Sequence, residues 1–168
     1  MNLNNFTIKS QEALENAVSL AQQHQNQAVE TAHVLKAMMG QGDNVIQYIM
    51  KKLGVNTANV EKALDSIVES YPKVLGPGEP YLSNSANQAI RQAMNASSDY
   101  GDKFVSIEHL LSGILACGDQ VAQLLKDSGL TQKELKTAIE QMRKGKKADS
   151  QTSEDQYDAL NRFAVNLI

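Results

Sequence analysis

Apolar residues recur at spacings of three and four along most of the chain, the pattern of helices that each bury one face. Ala13, Leu14, Ala17, Val18 and Ala21 form the first such stripe, and Thr7 stands where a side-chain oxygen caps the helix start. A short helix is predicted from about Thr31 to near Gly40. A third carries Val45, Ile46, Ile49, Met50 and Leu53 and stops at Gly54, a natural left-handed terminator. Asn56 is placed to cap a fourth that runs to about Glu69. The second half predicts the same series: Ser83 to Ser98, Ser106 to Ala116, Asp119 to Ser128, and Thr131 onward. Thr131 and Glu134 have capping-box spacing.

The resemblance of the halves is also one of residues. Val29-Glu30-Thr31-Ala32-His33-Val34-Leu35 matches Val105-Ser106-Ile107-Glu108-His109-Leu110-Leu111 at an offset of 76 positions. The same offset pairs Ala13 with Ala89, Ala17 with Ala93, and Gly42-Asp43 with Gly118-Asp119. After one extra residue in the first copy, Gly54 meets Gly129 and Val60 meets Leu135. Ordered matches through a whole unit indicate a duplication. The expected fold class is therefore all-α: a tandem repeat of two four-helix units with pseudo-two-fold symmetry.

The three prolines all fall between Tyr71 and Pro80, where missing amide donors and restricted neighbours prevent a helix from crossing. This places repeat one at 1–71, a connector at 72–80 and repeat two at 81–145. Residues 146–153 are polar and charged and read as a mobile linker. Ser153-Glu154-Asp155-Gln156 then has capping-box spacing, and Tyr157, Leu160, Phe163, Ala164 and Leu167 mark one face of a further helix. That face has nothing in its own short segment to pack against, so 154–168 reads as the start of another domain.

Composition narrows the chemistry. Of 168 residues 42% are hydrophobic but only 5% aromatic, with no tryptophan, so aliphatic side chains and methionine must fill the core. The net charge of −3 gives no general pull toward nucleic acid or an anionic membrane. The one basic cluster, Arg143 to Lys147, reads as a basic last helical turn followed by solvated linker. No stretch approaches the ~18 apolar residues of a membrane span, and no signal-like leader precedes Phe6, so a cytoplasmic protein is expected.

No catalytic constellation emerges. The single cysteine, Cys117, excludes an intrachain disulfide and lies in an apolar helical stretch, where a small buried side chain competes with a thiol nucleophile. His33 and His109 occupy equivalent places near helix starts, where hydrogen bonding to backbone competes with a metal or catalytic role. Neither a zinc-ligand spacing nor a phosphate-binding, dinucleotide-binding or nucleophile-elbow motif is present. The chain is read as having no catalytic residues, no metal site and no cofactor. Met38, Met39, Met50, Met94 and Met142 suit either core filling or an adaptable binding surface.

Leu3-x-x-Phe6-Thr7, the Thr-Ala-His-Val-Leu and Ile-Glu-His-Leu-Leu pair and Gly101-Asp102-Lys103-Phe104-Val105 together resemble the duplicated N-terminal domain of the Clp ATPases, over about residues 1–145. Tyr157 to Phe163, followed by Asn166-Leu167, is similar to the segment entering the first ATPase ring of the ClpB disaggregase family, which usually has aspartate where Asn166 stands. The resemblance implies a substrate-recognition domain that binds exposed segments of unfolded or aggregated polypeptides and passes them to the ATPase ring. ATP and magnesium would serve the full-length protein, which would assemble as a hexamer and cooperate with the DnaK chaperone system, while this stretch alone would be monomeric. The family's functional residues fall on Thr7, Asp102 and Glu108, where capping and helix-dipole roles are equally open. Its apolar groove would draw on Ile90 and Met94. The alternative is an adaptor-docking domain of a Clp protease unfoldase such as ClpC or ClpA. ClpC-type recognition of phosphorylated arginine uses a glutamate before each repeat histidine, and here only Glu108 fits, since Ala32 stands in the first copy.

Overall fold

Thr7 Oγ1 accepts the Ser10 amide at 3.2 Å and Ser83 Oγ accepts the Ala86 amide at 3.0 Å, so the same cap opens both halves, 76 residues apart. The computed structural model describes residues 2–42, 45–76 and 78–157. Among them α1 spans Ile8–Gln23, α2 Thr31–Met39, α3 Val45–Lys52 and α4 Thr57–Ser70. The second half repeats these as α5 Asn84–Asp99, α6 Ile107–Ala116, α7 Gln120–Asp127 and α8 Gln132–Arg143. Two short strands, β1 Ala28–Val29 and β2 Tyr81–Leu82, and a closing 3-10 turn at Ser153–Gln156 complete the order. Asn56 and Thr131 cap α4 and α8 as their positions predict, and Gly54 ends α3 at φ +68°. Asp43, Pro77 and the apolar face from Leu160 to Leu167 lie outside the described residues.

The two halves complete one another. β1 pairs with β2 in parallel, joining Val29 to Leu82, and a parallel bridge joins Phe6 to Val105. Moving each partner by the repeat offset converts one pairing into the other, so the approximate two-fold axis exchanges the strand ends of the halves. Helices obey the same exchange: α3 packs on α8 while α7 packs on α4. The sequence units are thus interleaved in space, and each leans on the other for part of its core.

Within each half the first two helices pair, α1 on α2 and α5 on α6. The second pair is the closer, because Gly113 of α6 lies against Ala89 and Ala93 of α5. A Cβ at Gly113 would overlap the Ala89 carbonyl oxygen and sit 2.8 Å from the Ala93 nitrogen. The core is aliphatic as composition requires, with Leu35, Ile46, Ile49, Leu64, Leu110, Leu111 and Ile114 fully enclosed. Met38, Met39, Met50 and Met142 are core fillers, whereas Met94 on α5 is 49% exposed.

Two expectations are corrected. Residues 146–153 do not extend away as a linker but run back across repeat two, with Ala148 and Ser153 buried. The Ala148 carbonyl accepts the amides of Lys103 and Phe104, and the Ile8 amide donates to the Gln151 carbonyl at 2.9 Å. The basic cluster at the end of α8 is not a wholly solvated run either: Arg143 is buried and paired. No helix among the described residues is long and apolar enough to cross a membrane.

Candidate functional site

Each repeat carries one histidine at the third position of its second helix, and both rings do the same local work. His33 Nδ1 accepts the Glu30 amide at 2.9 Å, and His109 Nδ1 accepts the Ser106 amide at 2.9 Å. An imidazole thus satisfies an amide left free at the helix start. With Nδ1 as acceptor, the proton of a neutral ring sits on Nε2, which faces Asn26 Oδ1 at 2.9 Å in repeat one and Asp102 Oδ2 at 2.7 Å in repeat two.

Around this shared motif the halves diverge. Repeat one has Asn26, Ala32 and Val68, and its histidine is neutral: burial, with a smaller push from His24, lowers the His33 pKa to about 4. Repeat two has Asp102, Glu108 and Arg143 at the corresponding places, and all three side chains are buried. Arg143 donates to Glu108 Oε2 through Nε at 3.0 Å and Nη2 at 2.9 Å, and to Asp102 Oδ2 through Nη1 at 2.8 Å. Burial opposes ionisation of both carboxylates. Arg143 and His109 overcome it at Glu108, and hydrogen bonds from His109, the Ala148 amide and Arg143 overcome it at Asp102. Both carboxyls therefore lie below the ordinary range, and the guanidinium is held firmly charged by its two partners.

The cluster is closed by the segment that follows α8. The Tyr157 hydroxyl, fully buried, donates to Glu108 Oε2 at 2.6 Å, and the Arg143 guanidinium lies 5.6 Å from the Tyr157 ring centre. Glu154 Oε2 accepts from the Thr7 hydroxyl at 2.6 Å and from the Ile107 amide at 3.1 Å. Its carboxyl therefore bridges the N-terminal ends of α1 and α6, where helix dipoles favour negative charge. Burial, reinforced by the charge on Glu108, nevertheless raises the Glu154 pKa to about 7. The Ala148 amide donates to Asp102 Oδ1 at 3.1 Å. One oxygen of each acid, Glu108 Oε1 and Glu154 Oε1, is buried without a hydrogen-bond partner.

The structure thus brings Thr7, Asp102 and Glu108 to one place, but inside the molecule: none of the three side chains reaches solvent. Ile90 is buried against the core, and Met94, one turn further on α5, is the exposed member of the predicted set. Ile8 and Tyr81, at 43% and 60% exposure, add apolar surface that residue-by-residue reading did not single out. Arg143, Glu154 and Tyr157 were missed as site members. A signal existed for Arg143, because the repeat alignment sets it opposite Val68, a core position of α4. Cys117, placed in an apolar helix by its sequence, is the half-buried C-cap of α6 and donates through sulfur to the Ile114 carbonyl. Burial raises its thiol to about 11, which disfavours the nucleophilic thiolate. Among the described residues no group of three metal-ligating side chains converges.

The model of the Clp repeat N-terminal domain family matches residues 5–128. The chaperone protein ClpB of Bacteroides thetaiotaomicron is 49% identical over 167 residues, which is 99% of this chain and 19% of that protein, so the chain spans about a fifth of that relative's length. The crystal structure of the Hsp104 N-terminal domain from Candida albicans superposes with a TM-score of 0.79 at 21% identity, covering 90% of this chain and 99% of that one. A ClpV N-domain solved in complex with a VipB peptide superposes at 0.59 and 18% identity, covering 86% of this chain and 83% of that one.

Proposed function

The chain belongs to the Clp repeat N-terminal domain family, and from that premise we propose that it is the substrate-recognition domain of an ATP-driven protein disaggregase. It binds exposed segments of unfolded or aggregated polypeptides and hands them to an ATPase ring formed by the rest of a longer protein. The observation that carries this reading is the 49% identity to a ClpB chaperone along nearly the whole chain. Nucleotide and magnesium, hexamer assembly and cooperation with a DnaK-type system belong in this proposal to that longer protein, while this domain contributes contact alone.

Of the exposed large apolar side chains, Met94 on α5, Tyr81 just before that helix and Ile8 at the start of α1 are the ones assigned to such contact, while Val74 and Leu75 are exposed on the connector. Flexible thioether and aromatic side chains suit varied clients, since they repack against many partners. An unfolded client loses chain entropy on binding, so a single domain should bind weakly, with a Kd on the order of 10–300 μM. Several domains on one ring would raise the effective affinity. Thr7, Asp102 and Glu108 enter this reading as positioning residues that act through the segment they hold.

A second reading, docking of dedicated partner peptides, draws on the ClpV N-domain solved with a VipB peptide. Titration of the chain with a permanently unfolded, soluble protein, followed by amide NMR, distinguishes them. Shifts centred on Met94, Tyr81 and Ile8 are expected. No shifts at millimolar client would sink the client-binding reading and leave partner docking.

A further inference from the structure

The segment from Ala148 to Tyr157 is held as a ligand is held. Its side chains enter a cavity built by three other elements: Thr7 at the start of α1, the Ile107 amide and Glu108 of α6, and Arg143 of α8. Two of its side chains carry the specific recognition, a carboxylate at Glu154 and a phenol at Tyr157, three positions apart. Its backbone is read as well, by Lys103, Phe104 and Asp102 at Ala148 and by Ile8 at Gln151. It contains no α-helix, and it is reached through Lys144 and Gly145, both at positive φ.

Opposing forces act on the docked segment. Specific hydrogen bonds and the burial of Tyr157 favour the docked state. Against them stand the chain entropy of ordering ten residues and the two buried carboxylate oxygens that lack partners, Glu108 Oε1 and Glu154 Oε1. Release would relieve the crowding of the two acids at the cost of withdrawing one side chain, Tyr157, from the hydrophobic cluster; the rest of that cluster comes from the two repeats.

We propose that this cavity is a peptide-binding site for segments presenting a carboxylate and a phenol three residues apart, and that residues 148–157 are its resident, releasable occupant. The domain then has a strapped state, in which the chain leaving α8 is pinned across the starts of α1 and α6, and a released state with the cavity open. Thr7, Asp102 and Glu108 all touch the strap, so substitution at any of them shifts this equilibrium without touching a client. The site stands on the geometry alone and does not require the client-binding reading.

Two measurements test it. In hydrogen exchange of the unaltered chain, the amides of Ile8, Lys103, Phe104 and Ala148 are expected to exchange as one group, roughly tenfold or more faster than Leu111 amides in the core. Exchange of that group only at the rate of the core would overturn the proposal. In the doubly substituted chain E154A/Y157F, which removes the acceptor for Thr7 and Ile107 and the donor to Glu108, the strap is weakened and the synthetic peptide Ala-Asp-Ser-Gln-Thr-Ser-Glu-Asp-Gln-Tyr is added in trans. The Ile8 and Ile107 amide resonances should move saturably, with a Kd on the order of 0.1–5 mM, consistent with the millimolar effective concentration of a short tether. The same peptide with Glu→Ala and Tyr→Phe should bind roughly tenfold more weakly. Absence of saturable shifts, or equal binding of both peptides, would overturn the site. A chain that passes these tests yet ignores unfolded protein would remove the client reading and leave this one standing.

Discussion

Arg143 meets Glu108 through two nitrogens, Nε at 3.0 Å and Nη2 at 2.9 Å, both on the same carboxylate oxygen, in a place where repeat one has Val68 opposite Ala32. One ancestral unit has thus given two cores, one dry and one charged. The charged version is the one that receives the segment after α8.

Removing one partner of this pair leaves its charges buried and alone. R143M is expected to lower stability by about 3–5 kcal/mol, measured by urea denaturation at pH 7. The triple substitution D102N/E108A/R143V, which installs repeat-one chemistry, should recover most of that loss. If the triple variant is less stable than R143M, the pairing contributes more than charge compensation.

Glu154 sets a pH dependence of uncommon sign. Its carboxyl is raised from 4.5 to about 7, so the neutral form favours docking: the contribution is full below pH 4.5 and is lost as pH rises through 7. It is opposed by Glu108, which is itself compensated by Arg143 and His109 and bonded by Tyr157, with Lys9 paired to Asp155 outside. Strap protection should fall as pH rises from 5 to 8, by on the order of 1–3 kcal/mol, in hydrogen exchange at Ile8 and Phe104. E154Q, which keeps the acceptor for Thr7 and Ile107, should abolish the dependence.

His33 contributes the opposite slope. Its pKa is lowered from 6.5 to about 4, so its contribution is present above pH 6.5 and is lost as pH falls toward 4. H33Q should cost about 1–2 kcal/mol at pH 7 through the lost cap on Glu30 and flatten this acid slope, as read from thermal melts at pH 7 and 5.

At Gly113 the α5–α6 contact leaves no room for a methyl group, because backbone atoms of Ala89 and Ala93 bound the space. G113A is expected to destabilise by about 3 kcal/mol despite improving helix propensity. A melting temperature equal to that of the parent chain would show that the two helices can separate freely.

Met94 separates binding from stability. Being 49% exposed, M94S should change the unfolding free energy by less than about 0.5 kcal/mol. Affinity for unfolded protein should fall several-fold, measured by the same amide titration. Unchanged affinity would move the client surface away from α5.

Much of the fold was legible because its determinants are local. Helix periodicity, the caps at Thr7, Asn56 and Thr131, the stop at Gly54 and the repeat offset involve residues within a few positions of one another, or simple self-comparison. The histidines were legible in part, since a repeated residue at a helix start points to a shared structural task, which the Nδ1 contacts supply. The candidate residues Thr7, Asp102 and Glu108 were found through family likeness, but their burial was not visible.

By itself the sequence determined an all-helical duplicated domain, its helix limits and its aliphatic core, because short-range hydrogen bonding and hydrophobic periodicity dictate those features. Tertiary structure alone decided that α3 and α7 cross to the opposite halves, that Arg143 points inward, and that Glu154 and Tyr157 return to close the cluster. These contacts join residues separated by 35 to 147 positions. A charged or polar side chain reads as solvated until a partner from elsewhere in the chain compensates its burial, and that compensation exists only once the chain has folded.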